Sequence, residues 1–286
     1  MNPKEFPIPV VAVGPGSQDE GDEQLSYLEM PKDMNTFEMP RLPDPEVAQS
    51  AREARAAIRW LAQATAAWRP GRPNASFDAA VLEASDRDIV DQVLGEGEVS
   101  IIVSGSPEVR IQESVFSGVW RVRSLDAGGE VVADRIEVGP VPEIALHAAR
   151  RAATAIVPDR DLPTDAFGAG PIVKEIAHHA ATRKPGDPVH VINLSLLPLS
   201  PADADYLGDI LAAGPVRVLS RGYGNCRITS TVVTDTWWVQ YVNGLGNPMV
   251  DSIEITEVPE VALASETDIA DSASRIQEAL EWLERS

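Results

Sequence analysis

The chain has a single cysteine, Cys226. One thiol excludes an internal disulfide and any structural zinc site built from cysteine alone. Histidine is scarce as well. His147, His178, His179 and His190 show no ligand spacing such as H-E-x-x-H, so no protein-held metal and no cofactor is expected. Long apolar runs are missing: the stretch Val189–Leu199 is interrupted by His190, Asn193 and Ser195 and falls far short of the ~20 residues of a bilayer-crossing helix. The opening Met1-Asn2-Pro3-Lys4-Glu5 has no basic region leading into an apolar one. No secretory leader is expected, and the chain is expected to stay in the cytoplasm. Basic side chains are in deficit, with Lys and Arg at 24 against 44 Asp and Glu, a formal net charge of -20. A field of that sign repels phosphate backbones and anionic membranes, which argues against nucleic acid and membrane insertion; a basic segment of another protein is the better partner, while acidity taken by itself reads first as a solubility feature.

Proline, by contrast, crowds the start. Pro3, Pro7, Pro9, Pro15, Pro31, Pro40, Pro43 and Pro45 remove backbone donors and fix φ, so residues 1–45 read as an extended arm without a long helix or central strand. Leu25, Tyr27, Leu28, Met30, Phe37 and Met39 are too apolar for a solvated tail, and the arm is expected to dock on this chain or on a partner. From Pro45 the pattern turns helical. Val47, Ala51, Ala54, Ile58, Leu61 and Ala62 recur at three- and four-residue steps, with Asp44 as N-cap and a stop before Pro70-Gly71.

The remainder repeats itself. Val93–Leu146 aligns with Ile210–Leu263 without a gap, setting Gly97 against Gly214, Arg110-Ile111 against Arg227-Ile228, Trp120 against Trp237 and Asp134 against Asp251. Both copies finish in V-P-E-[IV]-A-L. The chain therefore reads as a tandem duplication of an α+β unit, each copy a small antiparallel sheet with helices on one face. Each copy opens with an apolar segment and a short helix (Asp86–Leu94; Ala202–Leu211), closed near Gly97 or Gly214. Four strand-like runs follow, joined by tight links, and the V-P-E segment starts another helix. The expected division is 1–45 for the arm, 46–165 for repeat one and 166–286 for repeat two, with the boundary near Pro158–Pro171.

Chemistry has little to stand on. Cys226 falls opposite Val109 and shares a strand face with Ile228 and Val232, which favours a buried thiol behaving as a small hydrophobe over a nucleophile. Gly222-Tyr223-Gly224-Asn225 lacks the third glycine of a dinucleotide fingerprint and leads into a strand, and Gly14-Pro15-Gly16-Ser17 lacks a phosphate-loop lysine. No catalytic constellation is readable, so no enzyme is expected. Divergence between the copies is a better guide. Where copy one has Ser104-Gly105-Ser106-Pro107-Glu108, copy two has Arg221-Gly222-Tyr223-Gly224-Asn225, and Trp238 replaces Arg121. Arg221, Tyr223, Asn225, Arg227 and Trp238 are the candidate partner-binding residues, because Trp, Tyr and Arg dominate protein–protein hot spots. Trp238 is read either as exposed or as lying under a covering helix.

Several of these stretches carry a resemblance. Gly14-Pro15-Gly16-Ser17-Gln18, Leu25-Ser26-Tyr27-Leu28-Glu29-Met30-Pro31, Leu219–Ile228, Trp237-Trp238-Val239-Gln240-Tyr241 and Val258–Leu263 resemble the HupH/HyaF/HoxQ hydrogenase expression proteins. The resemblance implies a chaperone-like accessory role in maturing an uptake nickel–iron hydrogenase. It implies as client the iron–sulfur small subunit precursor, whose twin-arginine leader is basic, and leaves room for a second accessory protein. It supplies no catalytic residues. The competing reading is a redox or metal-handling factor that uses Cys226.

Overall fold

The computed structural model describes residues 51–158, 161–222, 224–243 and 247–285. The arm, the Asp44 cap and Tyr223 lie outside the described residues. Helix α1 (Arg52–Ala67) buries Ala54, Ile58, Leu61 and Ala62, the apolar stripe that the periodicity marks. Strand β1 (Ala75–Asp78) and α2 (Ala84–Leu94) follow, then β2 (Val99–Val103), β3 (Glu108–Glu113), β4 (Val119–Leu125), β5 (Val131–Val138) and α3 (Glu143–Ala152). The second half contains α4 (Ala169–Thr182), β6 (His190–Asn193), α5 (Pro201–Leu211), β7 (Ala213–Ser220), β8 (Asn225–Thr231), β9 (Thr236–Val242), β10 (Pro248–Ile255) and α6 (Glu266–Arg285). From α5 to β10 the elements follow their first-half counterparts at the offset that sets Trp237 against Trp120.

The two halves do not form separate sheets. The strands make one antiparallel sheet in the order β1-β5-β4-β3-β2-β7-β8-β9-β10-β6. β2 and β7 join the halves, with Val99 opposite Ser220 and Val103 opposite Val216. Each of these strands would otherwise be an open edge, and pairing them satisfies both rows of backbone groups.

Nor do the helices keep to one face. On one side, Ile101, Ile111, Trp120 and Val122 form a continuous apolar cluster with Val218, Ile228, Trp237 and Val239 across the β2–β7 junction. It is capped by Val141 and Ala145 of the α3 segment and by Val258 and Ala262 at the 3-10 turn Glu260–Ala262. On the other side, α1, α2 and α6 cover Val119, Ile136 and Val138, while α4 and α5 cover Ile192, Ile253 and Ile255. The cause is visible in β4, where Val119, Trp120, Arg121 and Val122 are all buried. A strand buried on both sides needs a cover on both.

Two local expectations change. The second V-P-E segment makes only a 3-10 turn, because Ser265 caps a new helix: its hydroxyl accepts the Asp268 amide (3.1 Å) and donates to the Asp268 carboxylate (2.7 Å). That helix, α6, carries Ile276, Leu280 and Leu283 onto α1 in the first half. The helix closures also differ, since Gly95 (φ 53°) and Ala212 (φ 25°) end α2 and α5. Gly97 and Gly214 instead sit where a Cβ would strike the neighbouring strand, 2.2 Å from the Ser114 carbonyl oxygen and 2.5 Å from Ser230 Oγ.

Candidate functional site

Arg221 and Asn225 flank the β7–β8 turn. The Arg221 amide donates to the Glu98 carbonyl (3.1 Å), and Asn225 stands opposite Val242. Arg227 lies on β8 between Leu219 of β7 and Gln240 of β9. Strand alternation puts it on the same face as Trp238, one rung away. Trp238 is half-buried against the apolar cluster under α4 and α5. Its indole Nε1 donates to Asp251, whose other oxygen accepts Gln240 Nε2 at 3.4 Å. Burial raises the Asp251 carboxyl above its ordinary range, and the two donors act against that rise. The turn pair and the Arg227–Trp238 pair thus share the second half, while Tyr223 lies outside the described residues.

The sheet register adds arginines that residue-by-residue divergence does not single out. One rung reads Asp134, Arg123, Arg110, Ile102, Arg217, Thr229 and Trp238 across seven strands. The next carries Arg121, Gln112, Ser100, Leu219 and Arg227. Between the two helix layers, the sheet therefore gathers an arginine strip, in which Arg121 is buried against Asp91 and Asp134, Arg123 pairs with Asp91 and Arg110 with Glu108. The signal was present in the sequence as alternating arginines, but only strand pairing assembles them.

A cleft of about 650 Å³ lies between residues 154–157 and 161–165, α5 and the end of β8. Asp161, Asp165, Asp205 and Asp209 line it. Ile156, Tyr206, Ile210 and Val233 supply its apolar surface and belong to the cluster that Trp238 packs against. The walls are held in place by Asp203. Its carboxylate accepts the amides of Gly168 and Ala169 at the start of α4 (2.8 Å each) and of Ser200 at the N-cap of α5 (2.8 Å). Carboxylates around an apolar floor suit a segment that is both cationic and apolar.

Cys226 is 1 % exposed in the apolar cluster at the β2–β7 junction. Burial pushes its thiol up to about 12, against the opposing hydrogen bond with Tyr241. The thiolate, which is the nucleophilic and metal-binding form, is scarce at neutral pH in that setting. The histidines are arranged differently from what their spacing suggests. Glu175 and His179, one turn apart on α4, meet His190 of β6, and a ligand atom from each lies within 4.8 Å of the others. The set escapes a linear reading because it joins a helix to a strand, and only Glu175-x-x-x-His179 is visible as a same-face pair.

No helix among the described residues is long and apolar enough to cross a membrane. The family model for the HupH hydrogenase expression protein, C-terminal conserved region, matches twice, over residues 51–157 and 166–283. Hydrogenase expression/formation protein HoxQ of Cupriavidus necator is 43 % identical over 279 residues, covering 97 % of this chain and 98 % of that one. HupQ of Azotobacter chroococcum, with the same description, is 43 % identical over 95 % of this chain and 96 % of its own. HupH of Rhodobacter capsulatus is 42 % identical over 96 % and 98 %. Matched in both halves, and along nearly its whole length by these relatives, the chain belongs to the HupH family of hydrogenase expression/formation proteins.

Proposed function

We propose that the chain is a client-holding accessory protein of hydrogenase maturation and not a catalyst. Its client, in this reading, is the iron–sulfur small subunit precursor of an uptake nickel–iron hydrogenase, held in the cytoplasm before export. The observation that carries the proposal is the cleft lined by Asp161, Asp165, Asp205 and Asp209 over an apolar floor. An export leader with basic residues followed by an apolar stretch matches both properties. The formal charge of -20 adds long-range attraction for a basic segment. Arg221, Tyr223, Asn225, Arg227 and Trp238 remain the proposed contacts for the body of the client. Two-copy organisation belongs to the same proposal, with the last helix of the second half, α6, packed on α1 of the first. The competing redox role for Cys226 is disfavoured by the depth and high pKa of that thiol.

The test is co-purification of the chain with the small subunit precursor, made with and without its leader, from wild type and an Asp205→Asn/Asp209→Asn variant. Leader-dependent capture that drops in the variant supports the proposal. Equal capture of both precursor forms moves the interface away from the cleft, and capture of neither removes this client.

A further inference from the structure

We propose that Glu175, His179 and His190 form a binding site for a borderline first-row divalent cation such as zinc, nickel or cobalt(II). Three donors of two chemical types converge from two elements. Glu175 and His179 are presented by one face of α4, and His190 comes from the last strand of the sheet, where it stands opposite Ile255. The backbone pairing of β6 with β10 fixes one side of the set and the α-helix fixes the other.

The donor atoms are gathered at one place, while the two rings are stacked and not aimed at a common point. His190 Nε2 lies 2.7 Å from Glu175 Oε1. The rings of His179 and His190 are stacked, with centroids 3.5 Å apart and planes 12° from parallel. In a tetrahedral site with metal–nitrogen bonds of about 2.0–2.1 Å, neighbouring ligand atoms stand about 3.3 Å apart. The observed spread of at most 4.8 Å closes to that value when one imidazole swings out of the stack, so that both rings aim their in-plane lone pairs at the ion; the half-buried imidazoles and the exposed Glu175 have room for that movement. An ion would replace the Glu175–His190 hydrogen bond with three ligand bonds, and the carboxylate would neutralise one of its charges. The half-open setting leaves a fourth position for water or a client side chain.

Ligand chemistry selects the class. Two imidazoles and one carboxylate suit zinc, nickel, cobalt or copper, whereas calcium and magnesium demand oxygen donors. His178 is the neighbour of His179 on the helix, but its ring meets the His179 ring edge-on at 5.3 Å, and it does not belong to the converging set.

The experiment uses the full chain, produced without a histidine tag and stripped with a chelator. It is titrated with Co²⁺, followed by visible absorption, and then with Zn²⁺. The expected result is one equivalent of Co²⁺ giving the ligand-field bands of a four-coordinate site, displaced by one equivalent of Zn²⁺. Glu175→Gln, His179→Ala and His190→Ala should each weaken binding by at least about 10–100-fold, the range that loss of even an outer-shell partner produces. His147→Ala and His178→Ala should leave it unchanged. Circular dichroism establishes that each variant is folded, and the exposed Glu175→Gln substitution keeps the test available if a histidine variant is not. Absence of one-equivalent binding in the wild type overturns the site. So does binding that survives in folded Glu175→Gln and histidine variants, or that is lost with His178 or His147 instead.

Discussion

At the offset that sets Trp237 against Trp120, Arg121 falls on Trp238 and Asp134 on Asp251, and in each half the first residue gives its donor to the second. Arg121 donates from Nε and Nη2 to the two oxygens of Asp134, at 2.5 and 2.7 Å. Its Nη1 reaches Asp91 at 2.6 Å. Trp238 donates only Nε1, to Asp251, and the place of Asp91 is taken by Gly208, where an added Cβ would meet nothing within 4 Å. A buried ion network in the first half is thus matched by a neutral donor and an apolar ring in the second. Without Arg121 the buried Asp134 keeps only Arg123, at 3.7 Å, so Arg121→Ala should cost about 3 kcal/mol or more, at the lower end for breaking a buried pair. Trp238→Phe keeps most of the packing and loses one hydrogen bond to a charged group, about 1.5–3 kcal/mol. Urea unfolding of both variants measures the contrast, and equal losses would contradict it.

Glu113 gives the fold a pH dependence. It is buried, and burial raises its carboxyl from 4.5 to about 7 against an opposing bond from the Gly118 amide (3.3 Å). Because the folded value lies above the unfolded one, the folded state holds the proton more tightly. Stability from this group is complete below about 4.5 and is lost as pH rises through about 7. Glu113→Gln retains an acceptor for Gly118 and carries no charge. The variant should match wild type near pH 4.5 and exceed it at pH 8.5 by up to about 3 kcal/mol, at 1.36 kcal/mol for each pKa unit. Denaturant titrations of both proteins at the two pH values read the difference directly, and a gap independent of pH would reject the assignment.

Gly97 and Gly214 test whether the halves share their packing as well as their order. A Cβ at Gly97 would lie 2.2 Å from the Ser114 carbonyl oxygen, a backbone atom. At Gly214 the first obstacle is Ser230 Oγ at 2.5 Å, with the Thr231 carbonyl oxygen behind it at 2.8 Å. Both alanine substitutions should destabilise by about 1–3 kcal/mol or more. Gly97→Ala should be the more costly, since a serine hydroxyl can rotate away and a strand carbonyl cannot. Thermal unfolding of the two variants ranks them.

Much of the chain was legible in one dimension. The stripe Ala54, Ile58, Leu61 marks α1, and the paired Trp120 and Trp237 mark β4 and β9. Cys226, aligned in sequence with Val109, falls with it in the same apolar cluster. What sequence could not convey was how edges meet. Nothing in Val99–Val103 says that its partner is Val216–Ser220, so the arginine strip, which depends on that junction, was invisible. The same holds for Glu175, His179 and His190, whose proximity follows from α4 crossing β6. The single-face helix expectation failed for a related reason: the alternation in β4 reads as one apolar face only until Arg121 proves to be buried by its own ion pairs.

Cys226 should resist thiol reagents in the native state. It is 1 % exposed, and its thiol is pushed up to about 12, so both access and thiolate population oppose attack. Iodoacetamide at pH 8 should label the urea-unfolded chain fully and the native chain at least about 100-fold more slowly. Mass spectrometry follows the labelling. Fast native labelling would reopen a redox role.

Client capture should depend on ionic strength through the association rate. In the proposed reading, the formal charge of -20 and the four aspartates of the cleft would draw in a basic segment, and at 0.15 M salt the screening length is about 8 Å. Steering acts before contact, whereas short-range packing on Ile156, Tyr206 and Ile210 acts afterwards. Raising salt from about 0.05 to 0.5 M should therefore slow association of a leader peptide by about tenfold or more and change dissociation far less. Asp205→Asn/Asp209→Asn should flatten that salt slope and slow association even at low salt. Stopped-flow fluorescence of a labelled leader peptide separates the two rates. An association rate indifferent to salt in the wild type would mean that the acidity serves solubility alone, and that the cleft selects its occupant by shape.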